Sequence, residues 1–397
     1  MMFTWLSQTV AVTSLGIRTI HLRLASSLVA IVGIGAVAAV MVGVLSMAEG
    51  FRTTMAGTGE PDSVIVLRTG ADAEMTSVLM GEQVDIIADA PGVARVNGVA
   101  VASAELMVQV DLLKRATGTT ANVPLRGVTA SAFVVRRRLR VIEGRPFQEG
   151  RNEVIVGRAA LAQYANLSIG STLKLGENTW QVVGIFDGGG TVADSEIWCD
   201  VRVLAPAYRR GNSRQSVYVR LETPQAFTRF KDALTSDPRL NVKAMFERDY
   251  YAEQSQLVSK LITAIGFVIA GLMGIGAVFA AVNSMYSAVA SRSREIATLR
   301  ALGFRGGAVV VSVLAEATML ALAGGAVGGA GAWLALNGHQ TSTINWQSFS
   351  QVAFAFAVTP RLLVQGIVYA VVIGLAGGLL PAVRAARVPV VVALREL

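Results

Sequence analysis

Ser291-Arg292-Ser293-Arg294-Glu295-Ile296-Ala297-Thr298-Leu299-Arg300-Ala301-Leu302-Gly303-Phe304 is a short charged stretch between two long apolar runs, 261–290 and 306–336. Its residues predict a helix. Ile296, Leu299 and Leu302/Gly303 recur at helical spacing, and Arg292 and Glu295 sit one turn apart, where they can pair. Gly303 is placed to end that helix. The run before the stretch holds no charge and the run after it holds only Glu316, so each can cross a bilayer with length to spare for tilt. The stretch is therefore a connection between two membrane spans, and it looks built to dock against something.

Working outward, two further apolar runs appear, 24–48 and 362–383. The expected architecture is an α-helical membrane protein of four transmembrane helices with a large inserted α+β extracytoplasmic domain. The spans are 24–48, 261–290, 306–336 and 361–383. The inserted domain is 49–260, the charged connection 291–305, a short outer loop 337–360, and a cytoplasmic tail 384–397. Before the first span, residues 1–23 are amphipathic, with Leu6, Val10, Ile17, Ile20 and Leu24 near the helical period and Arg18, His21 and Arg23 interspersed. An interfacial helix fits them. A cleavable signal peptide fits less well, since the run that follows is too long and no small-residue cleavage site closes it.

Composition agrees. Of 397 residues 53% are hydrophobic and 16% charged, with a mean hydropathy of +0.52, a balance suited to a membrane protein with a sizeable soluble part. The net charge of +8 is spread along the chain, without the basic stripe and interleaved aromatics of a nucleic-acid binder. Cys199 is the only cysteine, so no intrachain disulfide forms, and His21 and His339 have no ligand-spaced neighbours that would make a metal site.

Within 49–260 the pattern changes to short alternating runs such as 63–68, 105–110, 153–156, 179–186 and 216–221, which read as strands. Helical patterns lie between them at 75–89, 157–165 and 224–235. The positive-inside rule orients the whole. Arg18 and Arg23 precede the first span; Arg292, Arg294, Arg300 and Arg305 lie between the second and third; Arg384, Arg387 and Arg395 follow the fourth; 337–360 has no Lys or Arg. Both termini and the opening stretch are then cytoplasmic and the inserted domain lies outside.

The spans are rich in small-xxx-small pairs: Gly324/Gly328, Gly325/Gly329 and Gly374/Gly378. Such pairs let helices approach closely, within a chain or between copies, although glycine is also simply common in membrane helices. Glu316 is the one intramembrane polar candidate, able to act in function or to pair with a cytoplasmic arginine. No span has a continuous polar face to line a conduit. Outside, Arg136-Arg137-Arg138-Leu139-Arg140 reads as a solvated basic face or a lipid- or protein-binding one. Asp187, Asp194, Glu196 and Asp200 around Gly188–Gly190 do not match a calcium loop, and the glycines suggest a mobile segment. No catalytic constellation stands out.

Three stretches resemble a known family: 24–51 with Ile31-Val32-Gly33-Ile34-Gly35; Arg294 to Gly303 continuing to Glu316-Ala317 and Gly324-Gly325; and Gly374 to Arg387 with Val392-Ala393-Leu394-Arg395. They look like the permease subunits of MacB/FtsX-type ABC systems, which include the lipoprotein-releasing LolC/LolE pair. The resemblance implies an inner (plasma) membrane permease working as a dimer with a second copy or paralogue. It implies a cytoplasmic ABC ATPase docked through the short helix, and ATP-driven motion passed to the outer domain. Arg292, Arg294, Glu295, Ile296, Leu299, Arg300, Leu302 and Gly303 would form the ATPase-coupling site, flanked at the membrane surface by Arg384 and Arg387. No G-x-x-x-x-G-K-[ST] phosphate loop occurs in the chain, so ATP and Mg belong to the partner ATPase and this chain binds no cofactor itself. Besides membrane lipid, a periplasmic adaptor protein is an expected partner. Three functions stay open: efflux with an adaptor, extraction of lipoproteins or lipids, and activation of a cell-wall hydrolase.

Overall fold

The computed structural model describes residues 24–387 and, before them, 9–10 and 13–14. The rest of the interfacial helix expected over 1–23, and the tail beyond Arg387, lie outside the described residues.

The chain runs α1 (Leu24–Ala56), β1 (Ser63–Arg68), α2 (Gly81–Asp89), β2 (Arg95–Val96), β3 (Val99–Ala100), β4 (Ala102–Leu113) and β5 (Thr120–Val128). It continues through α3 (Ala132–Val135), β6 (Arg140–Gly144), β7 (Glu153–Gly157), α4 (Arg158–Gln163), β8 (Thr172–Leu175), β9 (Asn178–Asp187), β10 (Ile197–Asp200) and α5 (Val201–Ala207). Then come β11 (Ser216–Arg220), α6 (Phe227–Ser236), β12 (Val242–Phe246), α7 (Glu247–Ala290) and α8 (Ser293–Ala301). The last elements are α9 (Gly306–Leu336), β13 (Gln340–Asn345), β14 (Ser350–Ala355) and α10 (Pro360–Arg387). These form two compact units. One holds the residues up to Glu49, Lys260–His339 and Phe356 onward; the other holds Gly50–Ser259 and Gln340–Ala355. Helices α1 and α7 contribute residues to both.

The first unit is a helical bundle. Among the described residues α1, α7, α9 and α10 are the four helices long and apolar enough to cross a membrane, and helices satisfy every backbone polar group internally, as lipid demands. Their contacts are made by small residues. A Cβ on Gly324 would come within 2.9 Å of the Ile31 carbonyl oxygen, and one on Gly328 would strike the Gly35 carbonyl. Gly325 faces Ala370 and Ile367, Gly329 faces Leu363, and Gly374 and Gly378 face Ala321, Ala317 and Leu314. The predicted glycine pairs thus bring α9 against α1 on one side and α10 on the other, within one chain.

The second unit is the α+β part. Its sheet has the order β12-β1-β11-β4-β5-β10-β7-β9-β6, with β8 added on β9. All pairs are antiparallel except β5–β10 and β7–β9. Strand β4 joins two halves: Ala102–Glu105 pair with β11, and Leu106–Leu113 with β5. One half packs Val64, Val66, Val217 and Val219 against Phe230 and Leu234 of α6 and Ile87 of α2. The other packs Leu125, Val154, Val156 and Trp180 against Ala160 of α4 and Leu204 of α5. Its opposite face buries Ile155, Phe186 and Trp198. Fully burying such a side chain contributes about 1.5–3 kcal/mol.

The expected fold class, four apolar spans plus a large mixed α+β domain, is the one observed. Local readings differ in places. The helix expected over 75–89 is a single turn at Glu74–Thr76 and then α2, because Ser77 and Met80 are extended. The segment 337–360, expected as a short outer loop, carries the β13–β14 hairpin, which belongs to the second unit. Gln109 Nε2 donates to Ser348 O at 2.7 Å, Asn122 Nδ2 to Phe349 O at 3.2 Å, Asn345 Nδ2 to Gln254 Oε1 at 2.9 Å and Ala353 N to Ser195 Oγ at 2.8 Å.

Candidate coupling site

Helix α8 is held by one face. Ile296 and Ala297 are buried, and Ile296 packs with Met285 of α7, Val309 and Val313 of α9, and Ala382 and Ala385 of α10. The other face is open: Arg294, Glu295, Thr298, Ala301 and Leu302 are exposed, while Leu299 and Arg300 are half-buried. Leu302 is 73% exposed, a large apolar side chain at the very end of the helix. Gly303 follows with φ +93°, a conformation that L-residues adopt only with strain. Its N–H donates to Arg300 O, and Phe304 N to Leu299 O, both at 3.1 Å, closing the helix end.

Arg292 ties the site to the bundle. Its side chain, 10% exposed, places Nε 3.0 Å from Glu295 Oε2 and Nη1 3.3 Å from Glu316 Oε2. The Glu316 side chain is itself 7% exposed, so the one charged residue of α9 meets the arginine that precedes α8. A buried carboxylate on an apolar helix is costly alone and tolerable when paired. Arg384 and Arg387 are exposed at the end of α10; the Arg384 guanidinium lies 5.4 Å from the Tyr286 ring centroid, within cation–π range. Of the residues expected to couple, Arg292 and Ile296 face the bundle, whereas Arg294, Glu295 and Leu302 face outward.

A second polar assembly, in the α+β unit, had no counterpart in the sequence reading. Arg126, 2% exposed, sits among Glu74, Glu105 and Glu196 at 2.7–3.0 Å. Arg136 makes a bidentate pair with Glu105 at 2.7 and 3.0 Å and stacks 4.0 Å from the Tyr218 ring centroid. This corrects the reading of 136–140 as a solvated basic face at Arg136, which turns inward; Arg137, paired with Glu60 and Asp62, Arg138 and Arg140 are exposed as that reading has them. Burial pushes the Glu74 carboxyl up, but the Arg126 charge and its hydrogen bonds more than offset this and hold it below its ordinary value of 4.5. Desolvation also pushes the Cys199 thiol well up, which leaves it inert. The 188–190 glycine segment, expected to be mobile, is tied by Asp194, whose carboxylate accepts from Gly188 N at 2.5 Å and Gly190 N at 2.7 Å. Among the described residues no group of three His, Cys, Asp or Glu side chains is placed to hold a metal ion.

Comparison with known proteins gives two family models. A MacB-like periplasmic core domain matches residues 27–237, and an FtsX-like permease C-terminal region matches 267–390. No curated protein matches the chain. Among solved structures, similarity is found to the extracellular domain of the noncanonic ABC-type transporter YknZ from Gram-positive bacteria, at 16% identity and TM-score 0.36, covering 46% of this chain and 99% of that one. The periplasmic region of MacB from Actinobacillus actinomycetemcomitans matches at 12% identity and TM-score 0.37, covering 49% and 93%. A domain of a putative permease protein from Porphyromonas gingivalis matches at 12% and 0.30, covering 46% and 86%. The structural likenesses are too slight to add weight, but the periplasmic-core model alone takes in more than half of the chain and the permease model most of the remainder: the chain belongs to the MacB/FtsX superfamily of permeases.

Proposed function

We propose that this chain is the membrane subunit of an ABC transporter whose ATPase is a separate cytoplasmic polypeptide, docked on α8. The observation that carries the reading is the two-sided character of that helix. Ile296 and Ala297 anchor it to α7, α9 and α10, while Glu295, Arg294 and Leu302 are presented outward. Arg292, bonded to both Glu295 and Glu316, links a push on the exposed face to α9. ATP and Mg act on the partner; this chain receives the motion and passes it to the α+β unit, working as a dimer with a second copy or paralogue. Helices α1 and α7, unbroken in sequence across the division between the units, are the natural carriers. The chain's cargo is a substrate of efflux, moved together with a periplasmic adaptor.

The test is purification of the full chain with its native partners. Wild type is expected to carry an ABC ATPase and an adaptor; Glu295→Arg and Leu302→Asp are expected to lose the ATPase while inserting and folding normally. Retention of ATPase at wild-type yield in both variants contradicts the docking site. Recovery of a lipoprotein carrier, or of a cell-wall hydrolase, in place of the adaptor replaces efflux by LolC/LolE-like extraction or by signalling.

A further inference from the structure

Four carboxylates and two guanidiniums meet inside the α+β unit. Glu74, Glu105, Glu196, Glu247 and Arg126 are 0–3% exposed, and the Arg136 side chain 12%. Two positive charges do not balance four negative ones, and a buried excess of charge is removed most easily by taking up a proton. The carboxylates are unequally served. Glu74 accepts from Arg126 Nη1 and Nη2 and from Ser216 Oγ. Glu105 accepts from both Nη atoms of Arg136 and from Arg126 Nη1. Glu196 accepts from Arg126 Nε and Nη2 and from Trp198 Nε1. Glu247 has Ser63 Oγ at 2.5 Å but Arg136 Nε only at 3.5 Å.

Glu247 and Glu196 both line a cleft, with Glu60, Arg136, Arg138 and Tyr251; Glu196 is held there by Arg126 and Trp198, which leaves Glu247 the loosely paired carboxylate of the two. The charged and titratable groups around it are Glu105 of β4, Arg126 of β5, Arg136 after α3, Tyr251 one residue-turn along α7, and Glu60, Arg138 and Glu196 across the cleft. Three of these are further carboxylates, which disfavour its ionisation.

We propose that Glu247 is a proton-responsive joint of the α+β unit: neutral, it lets the first turn of α7 pack among the neighbouring carboxylates; ionised, it is repelled by them and loosens that turn. The joint lies at the start of the helix that runs on to Ala290, and it stands independently of how α8 is used.

The experiment is hydrogen–deuterium exchange of the full chain in detergent, corrected for intrinsic exchange, between about pH 5 and about pH 8, where buried glutamates titrate. Opening of segments 60–66 and 245–256 is expected to rise about tenfold with pH in wild type, as ionisation of a buried carboxyl comes to oppose the closed turn. Glu247→Gln is expected to stay closed throughout. A flat wild-type profile, or the same rise in Glu247→Gln, overturns the proposal. Should that variant not fold, Glu105→Gln removes a like charge and is expected to move the midpoint to lower pH; an unmoved midpoint overturns it equally.

Discussion

Arg126 shows how much one residue decides. It sits in Val123-Pro124-Leu125-Arg126-Gly127-Val128, where a charge in an apolar strand signals something unusual without naming its partners. Those partners, Glu74, Glu105 and Glu196, come from 21 to 70 residues away. Arg126→Met is expected to destabilise the α+β unit by about 3–5 kcal/mol, since it strands buried carboxylates; urea denaturation of the full chain in detergent measures this. The acid side follows from Glu74. Its depressed carboxyl pKa contributes stability that is present above its ordinary value of 4.5 and lost as pH falls through the lower folded value. Denaturation midpoints should therefore drop below about pH 4.5, and the drop should shrink in Glu74→Gln.

At the scale of elements, α8 and the glycine pairs behave differently. A helix between two spans is legible because its period and its glycine stop are local in sequence. Which of its faces is clasped is not, because Ile296 and Leu302 are both apolar and only packing against α9 and α10 tells them apart. Ile296→Ala is expected to cost about 2–5 kcal/mol of bundle stability, read as a lower melting temperature in detergent, with little change for Leu302→Ala. The glycines of α9 invite a paired test. Gly328→Val drives a side chain into the Gly35 carbonyl, which cannot rotate away, whereas a Cβ on Gly331 meets nothing within 4 Å. The first is expected to destabilise by about 1–3 kcal/mol, and Gly331→Ala to be neutral or slightly stabilising, by the same melting measurement.

For the molecule as a whole, the β13–β14 hairpin changes what the outer unit is. The inserted stretch Gly50–Ser259 is completed by Gln340–Ala355, which arrives from the connection between α9 and α10. Each of its hydrogen bonds to Gln109, Asn122, Gln254 and Ser195 contributes about 1 kcal/mol, and Phe354 packs edge-on to Phe51 at 5.6 Å. Replacing 340–355 by a Gly/Ser linker is expected to raise proteolysis and amide exchange around Asn122 and Ser195 while leaving the spans protected; unchanged protection there argues against the hairpin as part of the unit. The sequence by itself determined the four spans, their orientation, the α+β insert and the permease family, because hydropathy over a bilayer's length, arginine placement and strand alternation are all short-range signals. Tertiary structure alone decided that Arg136 turns inward, that Glu316 meets Arg292, that the glycine pairs serve α1 and α10 of the same chain, and that the outer hairpin belongs to the α+β unit. Each of these is a pairing between distant segments, set by which charges must be neutralised and which backbones can touch once the elements have packed.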